Sequence, residues 1–358
     1  MAHHRTLFIY WGRRGALSQL TLELAKALGR SGFFSVSRQN ELFDQFPSTG
    51  VRLIPVDTFT HAAKAVLNIP RILSIRRRLR AAIAEHHIGR VVVLMPHVWT
   101  PLIAGSVRAA GARYIVIVHD GDAHPGDMTA LVTAWLRRDA LHADRIVTLS
   151  RHVADLLIAR YPTLDRKVQV LFLPMLPMGK VREPAAFHVP LGFLFLGRIM
   201  AYKGLPLFIE ACELLRARGH SFRIGVVGEG ALGSAEIRLR ALGASIVNRW
   251  VPHDEIATLV ADYDAVVTSH IEASQSGVVP TAHALGLPVL TTPVGGLPEQ
   301  VEDGRTGLVA REISATAVAE LMERYLTDDG LRQRLTASIR QIGDERSVGR
   351  FLAALSAA

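Results

Sequence analysis

Two basic side chains, Arg198 and Lys203, lie in one short loop, Gly197-Arg-Ile-Met-Ala-Tyr-Lys-Gly204, between a predicted strand and a predicted helix. A guanidinium group offers two parallel N–H donors to phosphate oxygens, and a lysine ammonium supplies a compact positive charge. Such loops at the carboxyl ends of parallel strands are where α/β proteins bind ligands. The loop therefore suits a pyrophosphate group, although an ordinary solvated loop with two basic residues would have the same composition.

A second polar segment, which begins at Ser269, joins a strand to a helix that starts near Gly277. The free backbone N–H groups at a helix N-terminus attract phosphate oxygens, and a glycine lets a ligand approach closely. Glu272 would repel phosphate but can accept hydrogen bonds from sugar hydroxyls. The structural alternative is that Ser274 and Ser276 cap the helix and Glu272 complements its dipole.

Two glycine-rich turns are weaker signals. Gly295-Gly296-Leu-Pro-Glu299 precedes a short helix in the second half of the chain. In the first half, Gly12-Arg-Arg-Gly15 follows the first strand and precedes a helix, but it lacks the full dinucleotide-binding fingerprint. By itself the double glycine is weak evidence, and a simple turn explains the Gly12–Gly15 segment at least as well.

The run from His119 to Asp127 places five possible metal ligands within nine residues, among them Asp122 and His124. A hydrolase with a metal held by nitrogen and oxygen ligands is therefore the rival chemistry. Glycine and proline between the ligands are typical of a polar loop, and an imidazole at the end of a strand could donate to a phosphate or sugar oxygen. We favour this second interpretation and predict no metal site.

These segments lie between alternating apolar strands and amphipathic helices, the pattern of a parallel sheet covered by helices. In the first half, the predicted strands are residues 7–10, 91–94, 114–118, 145–149 and 168–172, and the predicted helices are residues 17–28, 72–83 and 128–141. In the second half, the predicted strands are residues 192–196, 222–227, 265–268 and 288–291, and the predicted helices are residues 206–218, 235–242 and 278–285.

A proline-bearing stretch without periodicity, residues 173–179, predicts the linker between the two halves. We therefore expect an N-terminal Rossmann-like domain over residues 1–178 and a C-terminal domain over residues 179–340. Residues 341–358 are expected to form a helix that packs back on the first domain. Two such domains facing each other would place a cleft at the carboxyl ends of both sheets.

The bulk composition limits the classes of protein that fit. At 358 residues, with 49% hydrophobic and 20% charged residues, the chain suits two folded domains rather than a disordered or fibrous protein. Cys212 is the only cysteine, which excludes a disulfide framework and fits a reducing cytoplasm. The apolar run at residues 6–10 is too short for a signal peptide, and prolines interrupt the uncharged stretch at residues 91–107, so we expect a cytoplasmic protein without a membrane span.

The net charge of +9 favours anionic partners without choosing among them. No nucleic-acid recognition motif or aromatic stacking platform is evident, so we expect no nucleic-acid partner. A predicted helix carries Arg71, Arg76, Arg77, Arg78 and Arg80 beside an apolar stripe of Ile72, Ile75, Leu79 and Ile83. This helix could bind an anionic membrane on its inner face and admit a lipid-linked acceptor, or its stripe could pack on the N-terminal sheet and leave a solvated basic face.

The ordered set G-R-x4-K-G, an acidic segment before a helix, and G-G-x-x-E resembles the retaining glycosyltransferases of family 4. The resemblance is closest over residues 192–308, and it implies the GT-B fold of two Rossmann-like domains facing each other across a cleft. It also implies retaining transfer of a sugar from a nucleotide diphosphate sugar to a hydroxyl of a glycan or lipid-linked acceptor, as in bacterial polysaccharide or glycolipid synthesis. No metal ion and no other cofactor are implied.

The resemblance also implies roles for individual residues. Arg198 and Lys203 would hold the donor pyrophosphate, Glu272 would bind hydroxyls of the donor sugar, and His119 would face that sugar. The remaining donor-binding positions are Gly15, Gly197, Glu229, Ser276, Gly277, Val278, Thr281, Gly296 and Glu299. The family usually has a second glutamate eight residues after the first, which holds the ribose; Pro280 stands there, and the following frame places Thr281 in that role.

Two other classes of function remain open on the sequence. A GT-B-like nucleotide-sugar epimerase or hydrolase would use the same phosphate-binding residues without a sugar acceptor. A non-catalytic nucleotide-sugar sensor would bind the donor and give no turnover.

Overall fold

The computed structural model describes residues 5–59, 69–120, 130–178 and 187–357. The chain forms two compact units: unit 1 comprises Met1–Phe172 together with Phe351–Ala358, and unit 2 comprises Leu173–Arg350. This division differs from the limits predicted at residues 178 and 340. Part of the predicted linker, from residue 179 to residue 186, lies outside the described residues.

Unit 1 contains seven of the described strands and alternates them with helices. Its strands are β1 (Arg5–Tyr10), β2 (Phe33–Ser37), β3 (Arg52–Val56), β4 (Ile88–Val93), β5 (Arg113–Val118), β6 (Arg145–Thr148) and β7 (Val168–Val170). Its helices are α1 (Ala16–Leu28), α2 (Arg71–His86), α3 (Pro101–Ala109), α4 (Ala130–His142) and α5 (Arg151–Arg160).

The strands of unit 1 pair in parallel in the order β3-β2-β1-β4-β5-β6-β7. Successive strands run outward from β1 on one side and from β4 on the other, so the order reverses between these two strands. Four of the six residues are buried in each of β1 and β4, and both strands are rich in apolar residues, as expected for parallel strands covered by helices on both faces. The Rossmann-like prediction is confirmed for this unit.

Unit 2 repeats the same architecture with six described strands. They are β8 (Gly192–Leu196), β9 (Arg223–Val227), β10 (Ser245–Val247), β11 (Ala265–Thr268), β12 (Val289–Thr291) and β13 (Gly307–Val309). The helices are α6 (Leu205–Ala217), α7 (Ala235–Ala241), α8 (His253–Val260), α9 (Val278–Ala284), α10 (Leu297–Gln300), α11 (Ala315–Thr327) and α12 (Asp329–Glu345).

The sheet of unit 2 is also parallel, in the order β10-β9-β8-β11-β12-β13. Its order reverses between β8 and β11, where Ala265 pairs with Phe193. The last helix, α13 (Val348–Ala357), begins in unit 2 and ends in unit 1. In unit 1 its Phe351 ring packs edge-on against Phe172, and the Ser356 carbonyl accepts a hydrogen bond of 2.6 Å from Arg90 Nη1.

The apolar stripe of α2 is buried in the core of unit 1. Ile72, Ile75, Leu79 and Ile83 are each no more than 4% exposed. Burial of an amphipathic helix on a sheet removes this apolar area from water, so these four side chains cannot enter a lipid interface in the folded protein. Among the described residues, no helix is both long enough and apolar enough to cross a membrane.

Helix α4 holds the segment between β4 and α3 through two side chains one turn apart. Trp135 Nε1 donates to the Val98 carbonyl at 2.8 Å. The fully buried Asp139 lies within hydrogen-bond distance of the Thr100 hydroxyl and, at 2.9 Å, accepts from the Tyr114 hydroxyl. The start of α3 is therefore fixed by a buried carboxyl group.

The hydrogens in this cluster favour a protonated Asp139. The Thr100 hydroxyl has one hydrogen, yet both Asp139 and the His97 carbonyl, at 2.7 Å, lie where they would accept it. A proton on Asp139 resolves the conflict, because the carboxyl can then donate to Thr100 and Thr100 to His97. Burial raises the pKa of Asp139 to about 7, although hydrogen bonds from Thr100 and Tyr114 lower it.

This pKa makes the stability of unit 1 depend on pH. A folded pKa above the unfolded value of about 3.9 means that the contribution of Asp139 is fully present below pH ~4 and is lost as pH rises towards 7, by ~1.4 kcal/mol per pH unit. Asp139→Asn keeps the protonated hydrogen-bond pattern without titrating. We expect the free energy of urea unfolding of the wild type, relative to Asp139→Asn, to fall by ~2.5 kcal/mol between pH 5 and pH 8.

Tryptophan fluorescence suits this measurement, because Trp11, Trp99 and Trp135 all lie in unit 1. Taking the difference between the two proteins cancels other titrations, such as that of His97, whose pKa burial lowers to about 4. A difference that does not change over this pH range would contradict the protonated state.

Candidate functional site

The three segments singled out in the second half of the sequence meet at one edge of the unit 2 sheet. Strand β8 runs into Gly197, β11 into Ser269 and β12 into Thr292, and these strands are neighbours in the order β8-β11-β12. The reversal of strand order lies between the first two. A topological switch point of this kind is the usual ligand-binding position of an open parallel sheet.

Glycines let the backbones of these segments touch. Gly204 has φ +67°, and a Cβ atom there would lie 1.8 Å from the Ser269 carbonyl oxygen. Gly295 has φ +56°, and a Cβ atom there would lie 1.4 Å from the Ala273 carbonyl oxygen. Any side chain at either position would therefore force the segments apart, besides adopting a left-handed backbone conformation that glycine tolerates best.

Hydrogen bonds join the same segments. The Ile271 N–H donates to the Tyr202 carbonyl at 2.8 Å, and the Ser269 hydroxyl donates to the Gly204 carbonyl at 2.9 Å. The Thr292 hydroxyl donates to the His270 carbonyl at 2.5 Å. In each of these three bonds a main-chain carbonyl is the acceptor, so main-chain groups take part in every one of them.

Both predicted phosphate-binding cations lie beside the buried Tyr202. Arg198 is exposed, and its Nη2 donates to the Tyr202 hydroxyl at 3.2 Å. Lys203 is half-buried, with its Nζ 5.4 Å from the centre of the Tyr202 ring and 2.7 Å from Nε2 of His270. Neither Tyr202 nor His270 was predicted as a site residue, although both lie within the segments that were predicted to form the site.

The predicted phosphate contact at Ser276 is partly occupied by a protein group. The Ser276 N–H donates to Gln300 Oε1 at 2.7 Å, and Gln300 Nε2 donates back to the Ser276 carbonyl at 3.1 Å. Ser276 Oγ also accepts from the Val278 N–H at 3.3 Å, in keeping with the capping alternative. The Ser276 N–H therefore already has a protein partner, and the residue is only 1% exposed. Gln300 was not predicted; the only signal was an amide directly after Glu299.

The other predicted donor-binding residues of unit 2 line the same edge. Glu229 and Glu272 are exposed carboxylates on two different loops, and Glu299 is an exposed carboxylate in α10. Val278 is half-buried and faces Gly197, since a Cβ atom on that glycine would lie 3.1 Å from Val278 Cγ2. The buried Gly296 immediately precedes α10.

The two positions at the start of α9 have their own local contacts. The Thr281 hydroxyl donates to the Gly277 carbonyl at 2.8 Å, so it has acceptor capacity left for a ligand hydroxyl. Gly277 itself has a helical φ of −66°, which any residue could adopt. The backbone conformation therefore does not require a glycine there.

In unit 1, His119 follows β5 and reaches the end of β4. Its Nε2 lies 2.7 Å from the Leu94 carbonyl oxygen and must carry the hydrogen, because a carbonyl only accepts. Burial lowers the pKa of His119 by more than the hydrogen bond to Leu94 raises it, so the pKa lies below its ordinary value. The imidazole is therefore neutral at pH 7.

The predicted glycine loop of unit 1 is closed by an acidic side chain. Gly15 has φ +109°, and its N–H donates to Glu41 Oε1 at 2.8 Å. A Cβ atom on Gly15 would meet nothing within 4 Å, so the glycine is needed for its conformation and faces open space.

The rival metal cluster falls largely outside the described residues, which omit positions 121–129, including Asp122 and His124. Over the described ranges, no group of three or more histidine, cysteine, aspartate or glutamate side chains could hold a metal ion.

Comparison with known proteins agrees with both halves of the chain. A family model described as Glycosyltransferase Family 4 matches residues 17–172, and one described as Glycosyl transferases group 1 matches residues 190–328. The Anabaena protein HepE, solved in complex with UDP and glucose, superimposes with a TM-score of 0.73 at 13% identity, over 99% of this chain and 100% of that one.

Two curated relatives are similar in sequence. A D-inositol 3-phosphate glycosyltransferase of Arthrobacter is 34% identical over 44% of this chain and 40% of its own length. The amylovoran biosynthesis glycosyltransferase AmsK of Erwinia amylovora is 24% identical over 74% of this chain and 72% of its own. For two of the curated relatives, the Arthrobacter protein among them, the alignment spans less than half of the relative's own length.

The two family models together match most of the chain, and the solved structure shares the two-unit parallel-sheet fold of GT-B proteins. The chain belongs to glycosyltransferase family 4.

Proposed function

We propose that this protein transfers a sugar from a nucleotide diphosphate sugar to a hydroxyl acceptor, with retention of the anomeric configuration. The observation that supports it best is the meeting of Arg198, Lys203 and Glu272 at the switch point of the unit 2 sheet. Two cations there suit a diphosphate, and a carboxylate on the next loop suits a polyhydroxylated sugar. The UDP and glucose bound by the HepE protein are ligands of the same chemical kind.

Charge stabilisation is the main contribution that these residues could make. Departure of the nucleoside diphosphate builds negative charge, which Arg198 and Lys203 would stabilise without a metal ion or other cofactor. The start of α9 would add a partial positive charge. We assign no side chain at this edge as a nucleophile. The acceptor hydroxyl would instead attack the sugar from the face that the nucleoside diphosphate leaves, and the leaving phosphate would take the proton of that hydroxyl.

The remaining residues would orient the donor. Glu272 would accept hydrogen bonds from sugar hydroxyls, and Thr281 would accept one from the ribose in place of the usual glutamate. Neutral His119 would face the sugar without adding charge. Gly15, Gly197, Glu229, Val278, Gly296 and Glu299 would complete the donor contacts.

The acceptor we propose is a glycan or a lipid-linked glycan, in bacterial-type polysaccharide or glycolipid synthesis. The amylovoran pathway of the Erwinia relative and the inositol phosphate acceptor named for the Arthrobacter relative support a hydroxyl-bearing acceptor of this general class. A cytoplasmic protein at the inner face of the membrane would meet both the donor and such an acceptor.

Product analysis tests the activity. Donor candidates are first found as nucleotide sugars that raise the thermal unfolding midpoint, since a ligand at 100 times its Kd adds ~2.7 kcal/mol of stability. These nucleotide sugars are then incubated with glycan and lipid-linked acceptors. We expect an acceptor-dependent glycoside of unchanged anomeric configuration, formed equally well in EDTA. Turnover of donor alone would instead indicate an epimerase or hydrolase, and binding without turnover a sensor. Loss in EDTA, restored by one divalent ion, would contradict the metal-free mechanism.

Substitution of the two cations tests the phosphate assignment. Arg198→Ala and Lys203→Ala should each weaken nucleoside diphosphate binding by ~1.5 to 3 kcal/mol, because each removes a charge-assisted hydrogen bond, and should leave nucleoside binding unchanged. Glu272→Gln is the matched control on the neighbouring loop. It should impair sugar transfer and spare diphosphate affinity, as calorimetry can show. Equal losses for diphosphate and nucleoside would remove the assignment.

We further propose that α2 meets an anionic membrane through its basic face. Because Ile72, Ile75, Leu79 and Ile83 are buried, the contact would depend on the exposed Arg71, Arg77, Arg78 and Arg80 and on Leu73, which is 63% exposed. Arg76 is half-buried and donates to Ser106 at 2.5 Å. Each exposed arginine near such a surface is worth ~1 kcal/mol.

Vesicle sedimentation tests this surface. Binding should grow with the fraction of anionic lipid, weaken as salt rises, and fall by ~100-fold or more when Arg77 and Arg80 are both changed to glutamate. Arg334→Glu with Arg340→Glu, on the exposed face of α12, changes the net charge equally and should leave binding much less affected. Equal effects of both pairs would mean that net charge alone attracts the protein, and no binding at low salt would favour a soluble acceptor.

A further inference from the structure

His270 is a buried histidine at the centre of the candidate donor site. It follows Ser269 at the end of β11 and is only 1% exposed. Its Nε2 lies 2.7 Å from Lys203 Nζ and 3.5 Å from Ser276 Oγ, and its carbonyl accepts the hydrogen bond from Thr292. One residue thereby contacts all three segments that form the site.

The chemistry of the Lys203 contact fixes the state of the His270 ring. An ammonium group has three N–H donors and no acceptor, so Nε2 must accept. A nitrogen that accepts carries no proton, which places the ring hydrogen of neutral His270 on Nδ1. Protonation of Nε2 would remove the acceptor and set two cations against each other.

A second buried histidine of unit 2 shows the opposite arrangement. His283 in α9 is 4% exposed, and its Nε2 lies 3.1 Å from the Thr306 carbonyl oxygen, so it carries the hydrogen there. This contact joins the helix to the loop before β13 and involves no charged side chain. His283 is therefore a built-in comparison for a purely structural histidine.

We infer that His270 is a positioning residue for Lys203. Its Nε2 lone pair takes one ammonium N–H and so fixes the direction of the other two, which would otherwise sweep a wide volume on a flexible four-carbon chain. A preorganised donor stabilises a phosphate better than a mobile one, because the ordering cost is met during folding. This role rests on the proposed function, since Lys203 matters here as a phosphate-binding cation.

The tautomer can be measured on the wild-type protein without any ligand. Long-range ¹H–¹⁵N correlation of ¹⁵N-histidine-labelled protein should show the hydrogen of His270 on Nδ1 and that of His283 on Nε2. Lys203→Met should shift the His270 ring nitrogens and leave those of His283 unchanged. An Nε2–H tautomer for His270 would overturn the inference, whatever ligand the protein binds.

Binding cycles then test the positioning role. His270→Phe should weaken nucleoside diphosphate binding by about 10- to 100-fold and leave nucleoside binding unchanged, while His270→Gln, which keeps an acceptor, should recover part of the loss. In protein that already carries Lys203→Met, His270→Phe should have little further effect, because both changes remove the same contact. His283→Phe is the matched control and should not alter diphosphate affinity in folded protein.

Two results would overturn the role: unchanged diphosphate affinity in His270→Phe, or losses from His270→Phe and Lys203→Met that multiply in the double variant. The proposed function fails by a different result, the absence of nucleoside diphosphate binding by wild-type protein. In that case the nitrogen shifts on Lys203→Met would still decide whether the two side chains are in contact.

Discussion

The reversal of strand order between β8 and β11 is the constraint on which the rest of the site depends. Because the chain winds outward from β8 in one direction and from β11 in the other, the connecting helices diverge on either side of this point and leave the ends of both strands uncovered. Loops that follow these strands must therefore approach each other across a gap that no helix fills. The phosphate and sugar contacts proposed for unit 2 depend on that meeting.

Backbone contacts make the meeting possible, and they explain why small residues are concentrated there. Gly204 and Gly295 stand where a Cβ atom would strike a carbonyl oxygen of the neighbouring segment. Once the main chains are this close, only a few side chains can be accommodated between them. His270 and Gln300 are two such side chains. His270 contacts Lys203, and the Gln300 amide is hydrogen-bonded to both main-chain groups of Ser276.

In unit 1, side-chain hydrogen bonds hold the segments at the carboxyl edge of the sheet. Its edge at β4 and β5 is joined by His119 to the Leu94 carbonyl, and the next segment is held from the side by α4 through Trp135 and Asp139. The protonation state of one buried carboxyl group thus bears on the order of a loop at the carboxyl edge. Buried polar groups of this kind are tolerated because they are fully hydrogen-bonded, and they also make the local structure sensitive to pH.

The sequence by itself determined the class of fold and most of the regular elements of the site. Continuous apolar runs mark β8 and β11 because strands buried on both faces have no polar side, and the predicted bounds of both strands agree with the structure. Strand β2 was missed because Ser35 and Ser37 interrupt its apolar run. Both serines are buried, and they are satisfied by Trp11 at 3.1 Å and Thr58 at 2.6 Å, contacts made with other strand ends.

Only the tertiary structure decided what individual polar residues do. The apolar stripe of α2 has the same sequence pattern whether lipid or a sheet covers it, because periodicity indicates an apolar face and does not indicate what packs against that face. His270 and Gln300 contact residues far along the chain, at distances in sequence that no local pattern encodes. The pKa of Asp139 likewise depends on burial between α4 and its neighbours. Hydrophobic periodicity is a local property, whereas hydrogen-bond partners and burial are set by which elements the fold brings together.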